Sequence, residues 1–563
     1  MILSAAVPPG VILILAGFLL PALQGHARTA VLLIAPVITL GLIWQVPDGA
    51  ALTVGFLDYT LTPVKGDALS RLFAAIFAIM AFGGGLFAPN QERVAELSAA
   101  FVYAGSAIGV AFAGDLITVF VFWEIMALAS TLVVWSAGEK AFGAGMRYVS
   151  IHLLGGVLLM IGVIGEVAAT GSVEFTAMQP DTVARWFILA GFLINAGAPP
   201  LSAWLPDAYP AASWSGMVFL SAFTTKTAVY VLLRGFPGAE ILIFVGLYMV
   251  FYGIVYAILE NDMRRILAYS IINQVGFMVC GIGIGTAMAL NGAAAHAFTH
   301  IIYKALLLMS AGSVLYMTGK NKCTDLGGLF RTMPLTATCG IIGALSISSF
   351  PLTSGFISKS MISQAAADEH LMIVWMLLAA ASAGVFLHAG IKFPWFVFFQ
   401  KDSGLRPEEP PWNMKAAMVL FSVLCIGLGV LPYPLYDLLP HPVDYVPYTL
   451  SHVTSMLQLL LFSGLAFFLM LGMLKRTLTI TLDFDWFYRG FGKILAKEFD
   501  LRSARAWGRV VERLYGAVVR FVGTLYRHHG PQGVLARSWP TGSMAIWTTI
   551  LLGAYLVLYY VAL

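Results

Sequence analysis

The stretch 195–210, NAGAPPLSAWLPDAYP, closes one apolar run and precedes another, yet it cannot be helical throughout. Pro199, Pro200, Pro206 and Pro210 each lack a backbone donor, and each ring clashes with the carbonyl one turn back. A second interruption, SISSFPLTSGFISKS over 346–360, carries Pro351, Leu352 and Thr353 where the first carries Pro200, Leu201 and Ser202, 151 residues apart. Interrupted apolar helices at corresponding places in two halves point to an inverted-repeat transporter with its path near the membrane midplane.

The composition agrees with a membrane location. Charged residues make up 11% of the 563 and hydrophobic ones 59%, with a mean hydropathy of +0.86. A soluble chain carries roughly 25% charge, so a soluble enzyme is excluded. The net charge of +4 gives no general basic surface, which speaks against nucleic-acid binding. Cys280, Cys323, Cys339 and Cys425 stand in no metal-ligand or disulfide spacing and read as small apolar residues of helices. No metal site or cofactor is expected, and there is no flavin, quinone or iron–sulfur motif, so any redox chemistry belongs to partners.

Apolar runs predict about sixteen spans, near 3–23, 29–46, 69–88, 94–113, 115–135, 148–169, 184–204, 214–234, 238–259, 265–284, 288–317, 334–366, 371–400, 414–432, 453–474 and 543–563. The first has no Lys or Arg before Arg28 and no marked cleavage site, so it reads as a retained helix whose N-terminus lies outside. Loops near 136–147, 260–265, 318–333, 401–415 and 475–542 fall on one face and are all basic, which assigns that face to the cytoplasm. The loop near 205–213 is the exception, with Asp207 and no positive charge.

Residues 475–542 differ from the rest, with twelve Lys/Arg and five acids among apolar side chains. From Arg489 to Arg527 the apolar positions recur at three- and four-residue steps, predicting an amphipathic helix lying along the lipid surface. At 1.5 Å per residue it spans more than about 50 Å.

Ionisable residues at bilayer depth cost at least about 2.5 kcal/mol each on insertion scales, so they are functional candidates. Glu124 lies within LITVFVFWEIMALASTLVVW (116–135), with Asp115 placed to cap that helix. Lys226 lies within MVFLSAFTTKTAVYVLL (217–233). His296, His300 and Lys304 are four apart in HAFTHIIYKALLLMSAGSV (296–314) and stack on one helix face, and His388 and Lys392 repeat that step in VFLHAGIKFPWFVFF (385–399). Desolvation and a nearby carboxylate act on a buried lysine in opposite directions, so small rearrangements of a Glu–Lys pair can move a proton near neutral pH. Histidine bridges such groups because it donates and accepts in that range. Glu166 sits nearer a helix end.

These segments, FWE (122–124), PLSAWLPDAYP (200–210), TTKTAVYVLLR (224–234), ENDMRRILAYSIINQVGF (260–277), HAFTHIIYKALLLMSAGSV and FPLTSGFISKS (350–360), together resemble the antiporter-like subunits of respiratory complex I, membrane-bound hydrogenases and Mrp-type Na⁺/H⁺ antiporters. Within that superfamily the chain is most similar to the Mrp-type D subunit. The resemblance implies an all-α polytopic membrane protein with about 14–16 transmembrane helices, two inverted five-helix repeats with broken helices, and buried charged residues joined by water. Glu124 matches the coupling glutamate, Lys226 the lysine after the WLPDA loop, and His296, His300 and Lys304 the central helix; Lys392 matches the terminal charged residue more loosely.

The chain departs from the pattern at Asn195, where the family usually has a lysine. An amide cannot carry a proton, although its carbonyl could orient water or ligate a cation. The second departure is the C-terminal extension, which resembles a short lateral helix with an anchor.

The expected organisation is 1–93 N-terminal helices, 94–236 first repeat, 237–400 second repeat, 401–474 further core helices, 475–542 lateral helix region and 543–563 anchor. The expected function is translocation of protons and monovalent cations, H⁺ with Na⁺ or K⁺, by proton hopping within a multi-subunit antiporter of the bacterial inner membrane. The lateral helix contacts lipid, and there is no catalytic residue and no nucleic-acid partner. Two other readings share the fold: a proton-pumping subunit of a redox, hydrogenase or inorganic-carbon uptake complex, and a non-conducting scaffold, for which Asn195 speaks.

Overall fold

The structure, a computed structural model, describes residues 7–473, 483, 485–530, 533 and 540–561. It divides into two compact units, Met1–Asp485 and Trp486–Leu563. Among the described residues thirteen helices are long and apolar enough to cross a membrane, and three shorter apolar helices, Pro9–Ala22, Val183–Ala196 and Pro334–Ile347, fall where the sequence places further spans. The protein is an all-α multi-pass membrane protein.

In the first unit α1 (Pro9–Leu19) and α2 (Gly25–Ile43) lead into a hairpin, β1 (Gly49–Phe56) and β2 (Tyr59–Gly66), where the apolar pattern predicts no element. Then come α3 (Ala68–Phe87), α4 (Val94–Phe112), α5 (Leu116–Trp135), α6 (Glu139–Thr170), α7 (Val183–Ala196), α8 (Trp204–Ala208), α9 (Gly216–Leu220) and α10 (Thr224–Gly235). The second half runs α11 (Ile241–Leu259), α12 (Met263–Ile284), α13 (Ala287–Thr318), α14 (Pro334–Ile347), α15 (Ser354–Asp368) and α16 (Met372–Val385), the last continuing as π-helix over Phe386–Lys392. α17 (Trp412–Val430), α18 (Tyr433–Tyr436) and α19 (Leu450–Leu469) complete it.

Local chemistry sets the helix starts. Asp67 and Ser70 form a reciprocal capping box on α3, Asp115 caps α5 through Thr118 N at 2.7 Å, and Asp262 caps α12 through Arg264 N at 2.8 Å. Asp115 has a second use: its Oδ2 accepts from Thr62 N of the hairpin at 2.7 Å, tying β2 to the start of α5. α12 is buried along its full membrane window, and α11 crosses it where Gly246 meets Gly276. A Cβ on either would lie 2.6 Å from the other's carbonyl oxygen, a close approach that only small residues permit.

Two corrections concern boundaries. The span predicted at 148–169 is a 32-residue helix starting at Glu139, so Lys140 and Arg147 lie on its first turns and not in a loop. At about 1.5 Å per residue it exceeds a 30 Å hydrocarbon layer by several turns. Arg147 also accounts for the loop that lacked positive charge, because its guanidinium donates to both oxygens of Asp207, at 2.7 and 3.0 Å. The span predicted at 214–234 is interrupted: α9 ends at Leu220 and α10 begins at Thr224.

The second unit contains α20 (Gly492–His529), preceded by a π-helical turn at Phe487–Phe491, and α21 (Thr541–Val561). Its 38 residues give α20 a length of about 57 Å. Trp507, Leu514 and Val518 on it are exposed. Lys475, Arg476 and Arg537 of the predicted basic region lie outside the described residues.

Candidate proton path

Both proline-centred stretches interrupt their helices. α7 stops at Ala196, with Gly197 at φ +80°, a left-handed conformation natural to glycine. Pro199 and Pro200 follow in the connection to α8, and Pro206 lies within that short helix. α14 stops at Ile347, and Pro351 lies in the link to α15. The two half-helices have the same length, fourteen residues. Each follows a 32-residue helix, α6 in one case and α13 in the other.

At the first interruption Asn195 is fully buried and its Oδ1 accepts from His152 Nδ1 of α6 at 2.7 Å. With the proton on Nδ1, Nε2 is left as a buried acceptor without a partner among the described residues. The imidazole is boxed by Tyr148 and Trp204, with ring centroids 4.1 and 4.6 Å away. One turn further along α6 the Glu124 carboxylate rests on Gly156, where a Cβ would come 1.9 Å from Oε1. Glu124 is half-buried, more accessible than its place in an apolar run suggests, and its Oε1 has no hydrogen-bond partner among the described residues. It is not bonded to Lys226.

Lys226, fully buried on α10, donates instead to Ser221 O at 2.6 Å and Thr225 Oγ1 at 3.0 Å. Its nearest relations are electrostatic, with His296, His300 and Lys304 of α13. Those three are buried on one face, as their spacing predicts. His296 Nε2 donates to Gln274 Oε1 at 3.1 Å, and its Nδ1 accepts from Ser358 at 3.0 Å. Both nitrogens of His300 lack a hydrogen-bond partner among the described residues. Lys304 donates to Ser270 Oγ at 2.9 Å.

Lys359, within the second proline-centred stretch, is a member of the row that sequence reasoning did not single out. It is buried on α15, donates to Ile347 O at 2.9 Å and lies 4.9 Å over the Phe277 ring, within electrostatic reach of His296, His300 and Lys304. Its signal was available, a lysine four residues after Gly355 in an otherwise apolar and hydroxylated segment. Among the described residues no carboxylate lies within ion-pairing distance of Lys226, Lys304 or Lys359.

His388 and Lys392 sit on the π-helical segment, a geometry frequent at functional sites. His388 Nδ1 donates to Gly384 O at 2.8 Å, and Nε2 has no partner among the described residues. Lys392 donates to three carbonyls at the end of α11, Ala257, Ile258 and Glu260, at 3.1, 2.5 and 2.5 Å. It therefore caps that helix, where a cation is favoured. Glu166 forms an ion pair with Arg185 at 2.9 Å, away from the row. The four cysteines are buried and free, and among the described residues there is no cluster suited to a metal.

The arrangement defines a class: a multi-pass helical membrane protein with two interrupted helices and a row of lysines and histidines between them. Residues 113–386 match the family described as NADH:quinone oxidoreductase/Mrp antiporter, transmembrane. The chain is 28% identical to a probable K⁺/H⁺ antiporter A/B subunit of Rhizobium meliloti, over 72% of this chain and 44% of that protein. It thus spans under half the length of that relative. It is also 28% identical to the D subunit of a Na⁺/H⁺ antiporter of Alkalihalophilus pseudofirmus, over 74% of this chain and 87% of that protein. Among solved structures, a chain of the Mrp complex from Dietzia sp. DQ12-45-1b superposes with a TM-score of 0.68 at 21% identity, covering 83% of this chain and 99% of that one, which establishes the shared fold.

Proposed function

We propose that the chain is the proton- and monovalent-cation-translocating subunit of a multi-subunit Mrp-type Na⁺(K⁺)/H⁺ antiporter in a bacterial inner membrane. The observation that carries this is the row Lys226, His300, Lys304 and Lys359, buried on three helices with no counter-carboxylate among the described residues. Cations so placed repel one another, so proton occupancy at one changes proton affinity at the next. Unpartnered nitrogens on His152, His300 and His388 are the points at which water bridges complete the relay. In this reading Glu124, at the half-buried side of α5, exchanges partners with a neighbouring subunit, and Lys392 lies toward the exit. Residues 94–236 and 237–400 act as the two repeats, the basic loops face the cytoplasm, the N-terminus lies outside, and α20 runs along the lipid surface.

The test is proton and cation flux in proteoliposomes holding the intact complex. Glu124→Ala and Lys304→Ala should each abolish transport while the complex still assembles. Wild-type flux in both would end the proposal. A second reading, a proton-pumping subunit of a redox, hydrogenase or carbon-uptake complex, is favoured by the long helix α20 followed by α21. Mass-spectrometric identification of co-purifying subunits separates the two: Mrp-type partners support the first, and flavin, quinone or iron–sulfur partners the second.

A further inference from the structure

Glu96, in the first turn of α4, lies outside the row and outside the stretch that matches the family. It is fully buried. Its Oε1 accepts from Ser215 Oγ at 2.5 Å, Ser213 Oγ at 2.7 Å and Gln91 Nε2 at 3.1 Å, whereas Oε2 is buried with no hydrogen-bond partner among the described residues. One oxygen would satisfy a merely structural carboxylate here; the second is a free, desolvated acceptor.

Two surroundings give that acceptor a use. The first is a polar cavity of about 680 Å³ whose lining includes Gln91, Arg93, Lys140, Ser213, Arg264 and Asn321. These belong to the basic-loop face, and Gln91 and Ser213 are direct partners of Glu96, so the cavity reaches to within one side chain of the acid and is polar and roomy enough to admit water. The second is α9. Ser215 precedes this five-residue helix and Ser221 follows it. Glu96 therefore holds its beginning, while Lys226 holds its end by donating to Ser221 O at 2.6 Å. A buried acid and a buried base are fastened to the two ends of one short helix with breaks on either side.

We propose that Glu96 is a proton-uptake site, the acid through which protons from the basic-loop face are taken up and signalled to Lys226 through α9. The inference rests on the proton-path reading above. A proton arriving from cavity water bonds to Oε2 and no other covalent bond changes, so Glu96 passes from a charge of −1 to neutral. Hydrogen bonds to a neutral carboxyl are weaker than those to a carboxylate, which loosens Ser213 and Ser215 and frees the start of α9. The charges acting on Glu96 are Arg93 from its own loop and Arg264, with its neighbour Asp262, at the start of α12, while Glu92 and Lys140 of α6 line the adjoining cavity. Arg264 is itself fixed by donating to Ala212 O at 2.9 Å and Ser213 O at 2.7 Å, which keeps a positive charge close to the acid without occupying it.

Glu96→Gln retains an acceptor for both serines and removes the titration. In the intact complex in membrane vesicles it should assemble normally and lower proton flux by at least about tenfold, whereas Glu96→Asp should keep flux and displace its pH profile. Wild-type flux and pH profile in Glu96→Gln would overturn the assignment. Glu124→Ala and Lys304→Ala measured in parallel separate the two claims: if both transport normally the path reading fails, and if both are dead while Glu96→Gln is normal, only the uptake site fails. Should Glu96→Gln not assemble, Ser213→Cys in the full complex decides. A membrane-impermeant thiol reagent should react from the basic-loop face and block flux, and reaction from the opposite face alone, or none, refutes the proposal.

Discussion

The two interrupted helices differ in what closes them. In the first, the carbonyl of Ile194 near the end of α7 accepts from the neutral indole of Trp204 at 3.0 Å. In the second, the carbonyl of Ile347 at the end of α14 accepts from the ammonium of Lys359 at 2.9 Å. Both are helix C-termini, where the backbone carbonyls favour a donor and, more strongly, a cation. The first break is thus closed by a neutral donor and supplies Asn195 bonded to His152, while the second is closed by a lysine within electrostatic reach of the central histidines. Matching half-helix lengths do not imply matching chemistry. In the proposed path the titratable groups of the first half stand beside the broken helix, His152 on α6 and Lys226 on α10, rather than on it.

The largest break in this comparison should come from exchanging the donors for neutral or apolar ones. Lys359→Gln, which still donates to a carbonyl, is expected to reduce proton flux about 100-fold, while Trp204→Phe, losing only a neutral hydrogen bond, should reduce it less than about threefold. Equal losses in vesicle flux assays would show that both donors are structural. A smaller but sharper effect is expected at His152. His152→Gln should lower flux about tenfold, and adding Asn195→Lys should restore most of it, because the new ammonium occupies the position the imidazole touches. Absence of rescue would mean that His152 only packs.

Gly156→Ala tests the placement of Glu124. The added methyl would stand 1.9 Å from Oε1, so the carboxylate must leave α6, and flux should fall by roughly threefold to tenfold without loss of assembly. The smallest effect is expected from Asp207→Asn, which breaks the two-pronged contact with Arg147. Asp207 is 6% exposed and Arg147 32%, so about 1–2 kcal/mol of stability is at stake, read as earlier thermal unfolding in detergent with flux unchanged.

The residues that the sequence exposed and those it hid follow one rule. His296, His300 and Lys304 announced themselves because helical spacing puts them on one face, and the structure buries all three there. The proline breaks and the cap at Asp115 were equally legible, being determined within a few residues. His152 was not, since a lone histidine in an apolar run gives no hint of Asn195, which lies 43 positions away. Glu96 carries no local signal either, since its partners Ser213 and Ser215 lie 117 and 119 positions away. The hairpin escaped because it lies between spans and shows no strand alternation strong enough to separate it from a loop.

By itself, then, the sequence determined a membrane-spanning helical protein, the approximate number of its apolar helices and where two of them break. These follow from the cost of exposing apolar surface to water, of burying charge and of a missing proline donor, each of which acts locally. Only the tertiary structure decided which helices become neighbours. That placed Lys359 on the end of α14, His152 against Asn195, and Glu96 and Lys226 at opposite ends of α9. Contacts of this kind depend on packing between residues far apart in the chain, and no local pattern encodes them.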